Sequence, residues 1–257
     1  MVNVILNVTS EKLLRVGMRS TGWLLFFARI LALAIGAGTA TAASFQTNSI
    51  EGWRVLVNTR LLSDDQAATE KALGLLRVQL QEIVRVVPAP ALAKLRQVTL
   101  WFSPEYPGVK PRAEYHPGAG WLQDHGRDPV MVKGVEFTDV RNFEAETKRM
   151  PNFTLHELAH AFQDRELQGG FDNREIKAAY ERAKASGLYE KVERWFGNGR
   201  PNTQERAYAM TSPMEYFAES TEAFFSRNDF FPFTRAELKQ HDPQMEKLLV
   251  RLWGVAN

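Results

Sequence analysis

The segment that most constrains this chain is Thr154-Leu155-His156-Glu157-Leu158-Ala159-His160-Ala161-Phe162. On an α-helix, residues four apart share a face, so His156 and His160 can each aim an imidazole nitrogen at one ion. Glu157, beside the first histidine, can reach a water on that ion without ligating it. Phe153, Leu158, Ala161 and Phe162 supply apolar flanks, which fits a helix set into a core. The pattern is an H-E-x-x-H metal helix, the signature of zinc proteases, unless the two histidines merely cap or pair.

A catalytic zinc takes three protein ligands and keeps one position open. The chain has no cysteine and five histidines, His116, His125, His156, His160 and His241. The third ligand is therefore expected to be a carboxylate. Glu215 and Glu219 lie four apart on one face of a helix expected to run to about Ser226. Two readings of Glu215 compete. Ser212-Pro213-Met214-Glu215 is a capping box with Pro213 at the first helical position, whereas pairing with H-E-x-x-H makes Glu215 the ligand. Glu219 suits a place behind the metal, accepting the N–H of a ligating histidine, or is a plain solvated glutamate.

These residues resemble the anthrax lethal factor-like zinc metallopeptidases, zincins whose third ligand is a glutamate. The resemblance rests on the H-E-x-x-H helix and on Glu215-Tyr216-Phe217-Ala218-Glu219, with Tyr208 seven residues before Glu215. It is specific over residues 153–225 and vague elsewhere. It implies one Zn2+ on His156, His160 and Glu215, with Glu157 as general base and Tyr208 as a catalytic hydroxyl. The implied reaction is peptide-bond hydrolysis by a zinc-bound water whose proton passes through Glu157 to the leaving amine. Without the resemblance, a loop tyrosine such as Tyr208 reads as packing. Nothing resembles the toxin's delivery or substrate-binding domains, so its substrates do not carry over. A zinc amidase or peptidase of cell-wall peptides is a second reading. A non-catalytic, zinc-stabilised surface module is a third, and the presence of both Glu157 and Tyr208 speaks against it.

The amino terminus reads as an address. Trp23 to Ile35 is apolar apart from Arg29, follows Arg19, and leads to the small-residue site Ala40-Thr41-Ala42-Ala43. This predicts a cleaved signal peptide over residues 1–43, with Met18 a better start than Met1. The rival, an uncleaved anchor, would carry Arg29 at a cost of about 2.5–3.5 kcal/mol. Removing the four basic groups and one acidic group of residues 1–42 from totals of 32 and 30 leaves 28 against 29, a net charge of −1. No basic patch points to nucleic acid. The expected partner is a protein or peptide substrate, with no stable membrane association once the signal is cut; the oligomeric state is left open. Zero cysteines in an exported chain leave stability to the core and the metal, a pattern that fits a bacterial secreted or periplasmic protein.

Residues 44–257 are expected to form one α+β, zincin-like metallopeptidase domain. In this plan a small twisted sheet packs on the H-E-x-x-H helix and a carboxy-terminal helical half follows. Strands are expected at Trp53–Leu61, Val98–Phe102 and Gly134–Val140, with one short edge strand between Tyr106 and Lys133. Ser63-Asp64-Asp65-Gln66 is expected to cap a helix that ends at Pro88. The metal helix should run from about Pro151 to Gly169-Gly170. A helical stretch capped at Asp172–Glu175 is expected to reach Trp195, interrupted at Gly187, and then a polar loop spans Gly197–Gln204. Further helices begin near Thr234 and Asp242, where Leu248, Leu249, Leu252 and Trp253 form a core stripe. Phe224, Phe225, Phe230, Phe231 and Phe233 read as core, or as a pocket wall. His116 and His125 read as surface-loop residues or as lining for a substrate cleft. The sequon Asn152-Phe153-Thr154 abuts the metal turn and reads as coincidence.

Overall fold

The computed structural model describes residues 44–256; the expected signal peptide, residues 1–43, lies outside the described residues. The first element comes earlier than the apolar pattern predicts. β1 (Phe45–Ile50) and β2 (Trp53–Asn58) form an antiparallel hairpin closed by Glu51 and Gly52. Both turn residues have positive φ, 51° and 91°, which matches the twist of paired strands. β1 is mostly polar, so it carries no alternation to announce it. β2 ends at Asn58 rather than Leu61, because the Asn58 side chain accepts from Arg60 N and starts α1 (Thr59–Asp64). The expected cap at Ser63 is not made. Its hydroxyl bonds Arg60 O and Asp64 inside α1, and α2 (Gln66–Val86) starts after Asp65. Pro88 closes α2 as expected and leads into α3 (Ala89–Leu95).

β3 (Leu100–Phe102), β4 (Ala113–Tyr115) and β5 (Val135–Phe137) complete a five-stranded sheet of order β1-β2-β3-β5-β4. The three central strands are parallel, and both edges pair antiparallel. Val55, Val57, Leu100, Phe102, Val135 and Phe137 are buried in the main core with Leu76, Leu80 and Ile83 of α2. Leu56 and Trp101, alternating with them, form a smaller cluster with Leu122 of α4 (Ala119–Asp124) and Met131.

α5 (Phe143–Arg149) precedes α6 (Phe153–Glu166), the metal helix. Asn152 starts α6: its Oδ1 accepts from Leu155 N at 3.1 Å while its Nδ2 donates to Gln79 O of α2 at 3.0 Å. The sequon asparagine is thus a fully buried cap. α7 (Arg174–Ser186) is capped by Asn173 and stops at left-handed Gly187. The helix expected to reach Trp195 does not resume. β6 (Val192–Arg194) instead pairs with β7 (Thr203–Glu205), which also takes up part of the expected polar loop. Trp195 N bonds Asp229 O and Phe231 N bonds Glu193 O, so this segment's backbone partners are distant and leave no local period.

α8 (Pro213–Phe225), α9 (Arg235–His241) and α10 (Pro243–Leu252) follow, and Thr234 makes a full capping box with Glu237. Phe162 of α6 stacks on Trp253 at 4.0 Å, and the Trp253 indole donates to Thr221 of α8 at 3.3 Å. The stripe on the last helix is core, as expected. One apolar core runs from Ile50 to Trp253. This is the expected α+β plan, with α6 packed against β4 and β5 of the small sheet and against α2, α3 and α8. No helix among the described residues is long and apolar enough to cross a membrane.

Candidate metal centre and cleft

α6 turns His156 and His160 to one face, opposite the start of α8. His156 Nε2 lies 3.0 Å from Glu215 Oε2 and 3.2 Å from His160 Nε2, and His160 Nε2 lies 3.4 Å from the same Glu215 oxygen. Three ligands each 2.0–2.1 Å from a tetrahedral ion sit about 3.3–3.4 Å apart. The side chains therefore already hold the spacing of a ligand set. Their chemistry agrees: only one hydrogen fits between two imidazole nitrogens at this distance, whereas a cation accepts both lone pairs.

The two readings of Glu215 turn out to be compatible. Ser212 Oγ accepts from Glu215 N at 3.2 Å, so the residue is capped through its backbone. Its carboxylate leaves the cap and turns to the histidines. Burial would raise the Glu215 carboxyl, but hydrogen bonds from His156 and His160 outweigh it and hold the group well below the usual carboxylate range.

Behind His156 the structure corrects the expectation for Glu219. Glu222 Oε1, not Glu219, lies at hydrogen-bond distance from His156 Nδ1, at 2.6 Å; Glu219 Oε1 stands off at 3.7 Å. The reason is helical phase. Seven residues return to within about 20° of the starting face, so Glu222 lies under Glu215 more directly than Glu219 does. That seven-residue spacing is the signal in the sequence that singles out Glu222. Burial pushes the Glu222 carboxyl up to about 7 against the pull of His156. Glu219 is also buried, and burial, reinforced by Asp229 and Glu222, raises its carboxyl well above the ordinary value. For His156, burial favours the neutral ring, yet bonds to Glu215 and Glu222 hold its pKa well above the ordinary one.

Glu157 is half-buried, and its Oε2 accepts the backbone N–H of Tyr115 at 2.8 Å. β4 bonds β5 through the backbone of Arg112 and His116, so the N–H of Tyr115 lies on the free edge of the sheet. Tyr208 opens a 3-10 turn, Tyr208–Thr211, and is 47% exposed. Burial of part of its ring, with the charge of Glu215, raises the phenol pKa. Glu157, Tyr208, His156 and Glu219 all border a cleft of about 1330 Å³ whose walls include Asp139, Arg149, Arg194 and Phe230. The loop joining β6 and β7 forms one side. There Gly197, at φ 65°, packs so closely that a Cβ would lie 1.9 Å from Lys148 O.

The remaining histidines stand apart from the metal triad. His116 is not a surface-loop residue: it is 1% exposed and lies 2.9 Å from Glu136, which also binds Arg127 and Tyr106. His125 is exposed and stacks on Trp121 at 4.0 Å. His241 packs against Tyr189 and Phe231. Of the phenylalanines, Phe224 is core, whereas Phe230 is buried and also borders the cleft.

The family model described as glucose-regulated metallo-peptidase M90 matches residues 113–253, more than half of the chain. That span contains both histidines, Glu157, Tyr208, Glu215, Glu219 and Glu222. The broader metallopeptidase reading therefore holds, while the match does not support the lethal factor-like assignment. Neither the curated proteins nor the solved structures give a match.

Proposed function

Because the chain belongs to the glucose-regulated metallo-peptidase M90 family, we propose that it is an exported, zinc-dependent endopeptidase centred on His156, His160 and Glu215. The metallopeptidase activity, on peptide or protein substrates, comes with the family. The zinc, the residue roles and the export are our reading. The observation that carries it is the convergence of two imidazoles and one carboxylate at 3.0–3.4 Å, a donor set suited to an open zinc site. One Zn2+ held there supplies Lewis acidity and draws the pKa of water toward neutrality.

The chain's own groups do the rest. Glu157 takes the proton of the attacking water and passes it to the leaving amine. The Tyr115 N–H favours the ionised carboxylate and fixes its direction. Glu222, through His156 Nδ1, leaves Nε2 free for the ion. Tyr208 borders the cleft and donates to the developing oxyanion; losing one such donor costs about 10²–10³ in rate. Ala113 shares the outward direction of Tyr115, so its backbone N–H and C=O are open to an extended substrate adding to the β4 edge. In this reading residues 1–43 are a signal peptide and residues 44–257 are one zincin-like domain.

The purified full chain, compared with Glu157→Gln on a complex protein mixture, tests the proposal. New internal amino termini that appear only with wild type are the expected result. Termini from neither protein, together with hydrolysis of cell-wall peptides by wild type, would overturn it in favour of the cell-wall reading.

A further inference from the structure

Asp139 follows β5 and borders the cleft, yet is only 1% exposed. Its Oδ1 is buried and has no hydrogen-bond partner among the described residues. Four other carboxylates of the cleft wall are paired with basic side chains, while Glu157 and Glu219 have no lysine or arginine partner among the described residues. Glu144 is paired with Lys71 and Lys148, Glu146 and Asp229 with Arg149, and Glu205 with Arg194. Burial pushes the Asp139 carboxyl up to about 7 against a hydrogen bond from its own backbone N–H, and the charges of Glu146 and Glu157 add to the effect of burial. A carboxyl oxygen held dry and without a partner is costly unless something supplies a donor or a positive charge. No group among the described residues does so for Oδ1, and the residue borders the cleft within electrostatic reach of Glu157.

We propose that Asp139 is a specificity residue whose carboxylate receives a cationic group of the substrate, so that the cleft selects peptides carrying an ammonium or guanidinium close to the bond that is cut. The proposal rests on the peptidase reading for the words substrate and cut, but the contact itself is one of binding. The positive charge would arrive from a lysine or arginine side chain or from a free peptide amino terminus, and both offer the same N–H donors. Arg149 does not compete, because Glu146 and Asp229 hold it. Lys110 and Arg112 at the rim of the same cleft define the opposite expectation, a preference for acidic peptides.

Binding to the zinc-loaded full chain carrying Glu157→Gln reads the inference without turnover. The probes are acetylated, amidated hexapeptides in which Lys, Gln or Glu is placed at each position in turn, plus the Gln peptides left unacetylated. A charge-assisted hydrogen bond is worth about 1.5–3 kcal/mol, roughly 10–100-fold in Kd. At one register Lys is expected to bind at least about tenfold tighter than Gln, with Glu weakest. Adding Asp139→Asn, or Asp139→Ser, should bring the Lys-to-Gln ratio close to one; zinc content equal to the parent shows that each variant is folded. A gain from the free amine that also depends on Asp139 would support the proposal and name the terminus as the source. No register favouring Lys or the free amine, a preference for Glu, or a Lys preference that survives both substitutions overturns it. Asp139-dependent binding in a protein whose wild type cleaves nothing would leave this subsite standing and sink the peptidase reading instead.

Discussion

At the scale of single residues, the centre depends on a carboxylate that is not a ligand. Glu222 sits 2.6 Å from His156 Nδ1 and would fix which ring nitrogen faces a bound ion. Glu222→Gln keeps the shape but loses the charge, and the zinc affinity is expected to fall about 10–100-fold in a competition titration. An unchanged affinity would remove Glu222 from the account. Asp139 carries a second expectation, with a definite sign. Its folded pKa, about 7, lies above the ordinary 3.8. Between those values the native state holds a proton that the unfolded chain has released, so stability falls as pH rises from about 4 to 7. Asp139→Asn abolishes that loss. Denaturant unfolding of the metal-free proteins should show the variant gaining on wild type across this window, by on the order of a few kcal/mol, and levelling off above it. A difference that does not change with pH would contradict the burial of that carboxyl. His156, Glu157 and His160 were legible because spacing on a helix is a local property, whereas Glu215 could be read as a cap or as a ligand from its own neighbours. Asp139 was not legible, because its loss of water and of partners is created by other segments.

At the scale of elements, the centre depends on where α8 starts. Ser212 Oγ holds the first turn through Glu215 N, and the same residue sends its carboxylate to the histidines. Ser212→Ala is expected to cost about 1 kcal/mol of stability. Because the lost cap loosens the turn that carries Glu215, zinc affinity should weaken as well. A lower Tm with unchanged affinity would separate the two roles of that turn. The caps at Ser212 and Thr234 and the stop at Pro88 could be read directly, since each depends on a few adjacent residues. β1 and the β6–β7 hairpin could not. β1 is polar and exists because β2 offers a partner, while Glu193 of β6 accepts from Phe231 N and Trp195, just after it, donates to Asp229 O. Ser63 shows the converse: a good capping pattern lost to the helix before it.

At the scale of the whole molecule, the ion would tie α6 to α8, elements whose ligands stand 59 residues apart in the chain. With no disulfide in the chain, such a tie would be a considerable fraction of its stability. Chelation should therefore lower the Tm, and zinc at 100 times its Kd should restore about 2.7 kcal/mol. A Tm indifferent to chelator would mean that the helices hold the ligands in place without help. The central claim is that three ligands and one base make a hydrolytic centre, and the most direct measurement takes bound zinc and peptide turnover from the same samples. For Glu157→Gln the account predicts one equivalent of zinc and turnover reduced by about 10²–10⁴. For Glu215→Ala it predicts the loss of both. Undiminished turnover in Glu157→Gln, or a full equivalent of zinc in Glu215→Ala, would contradict it.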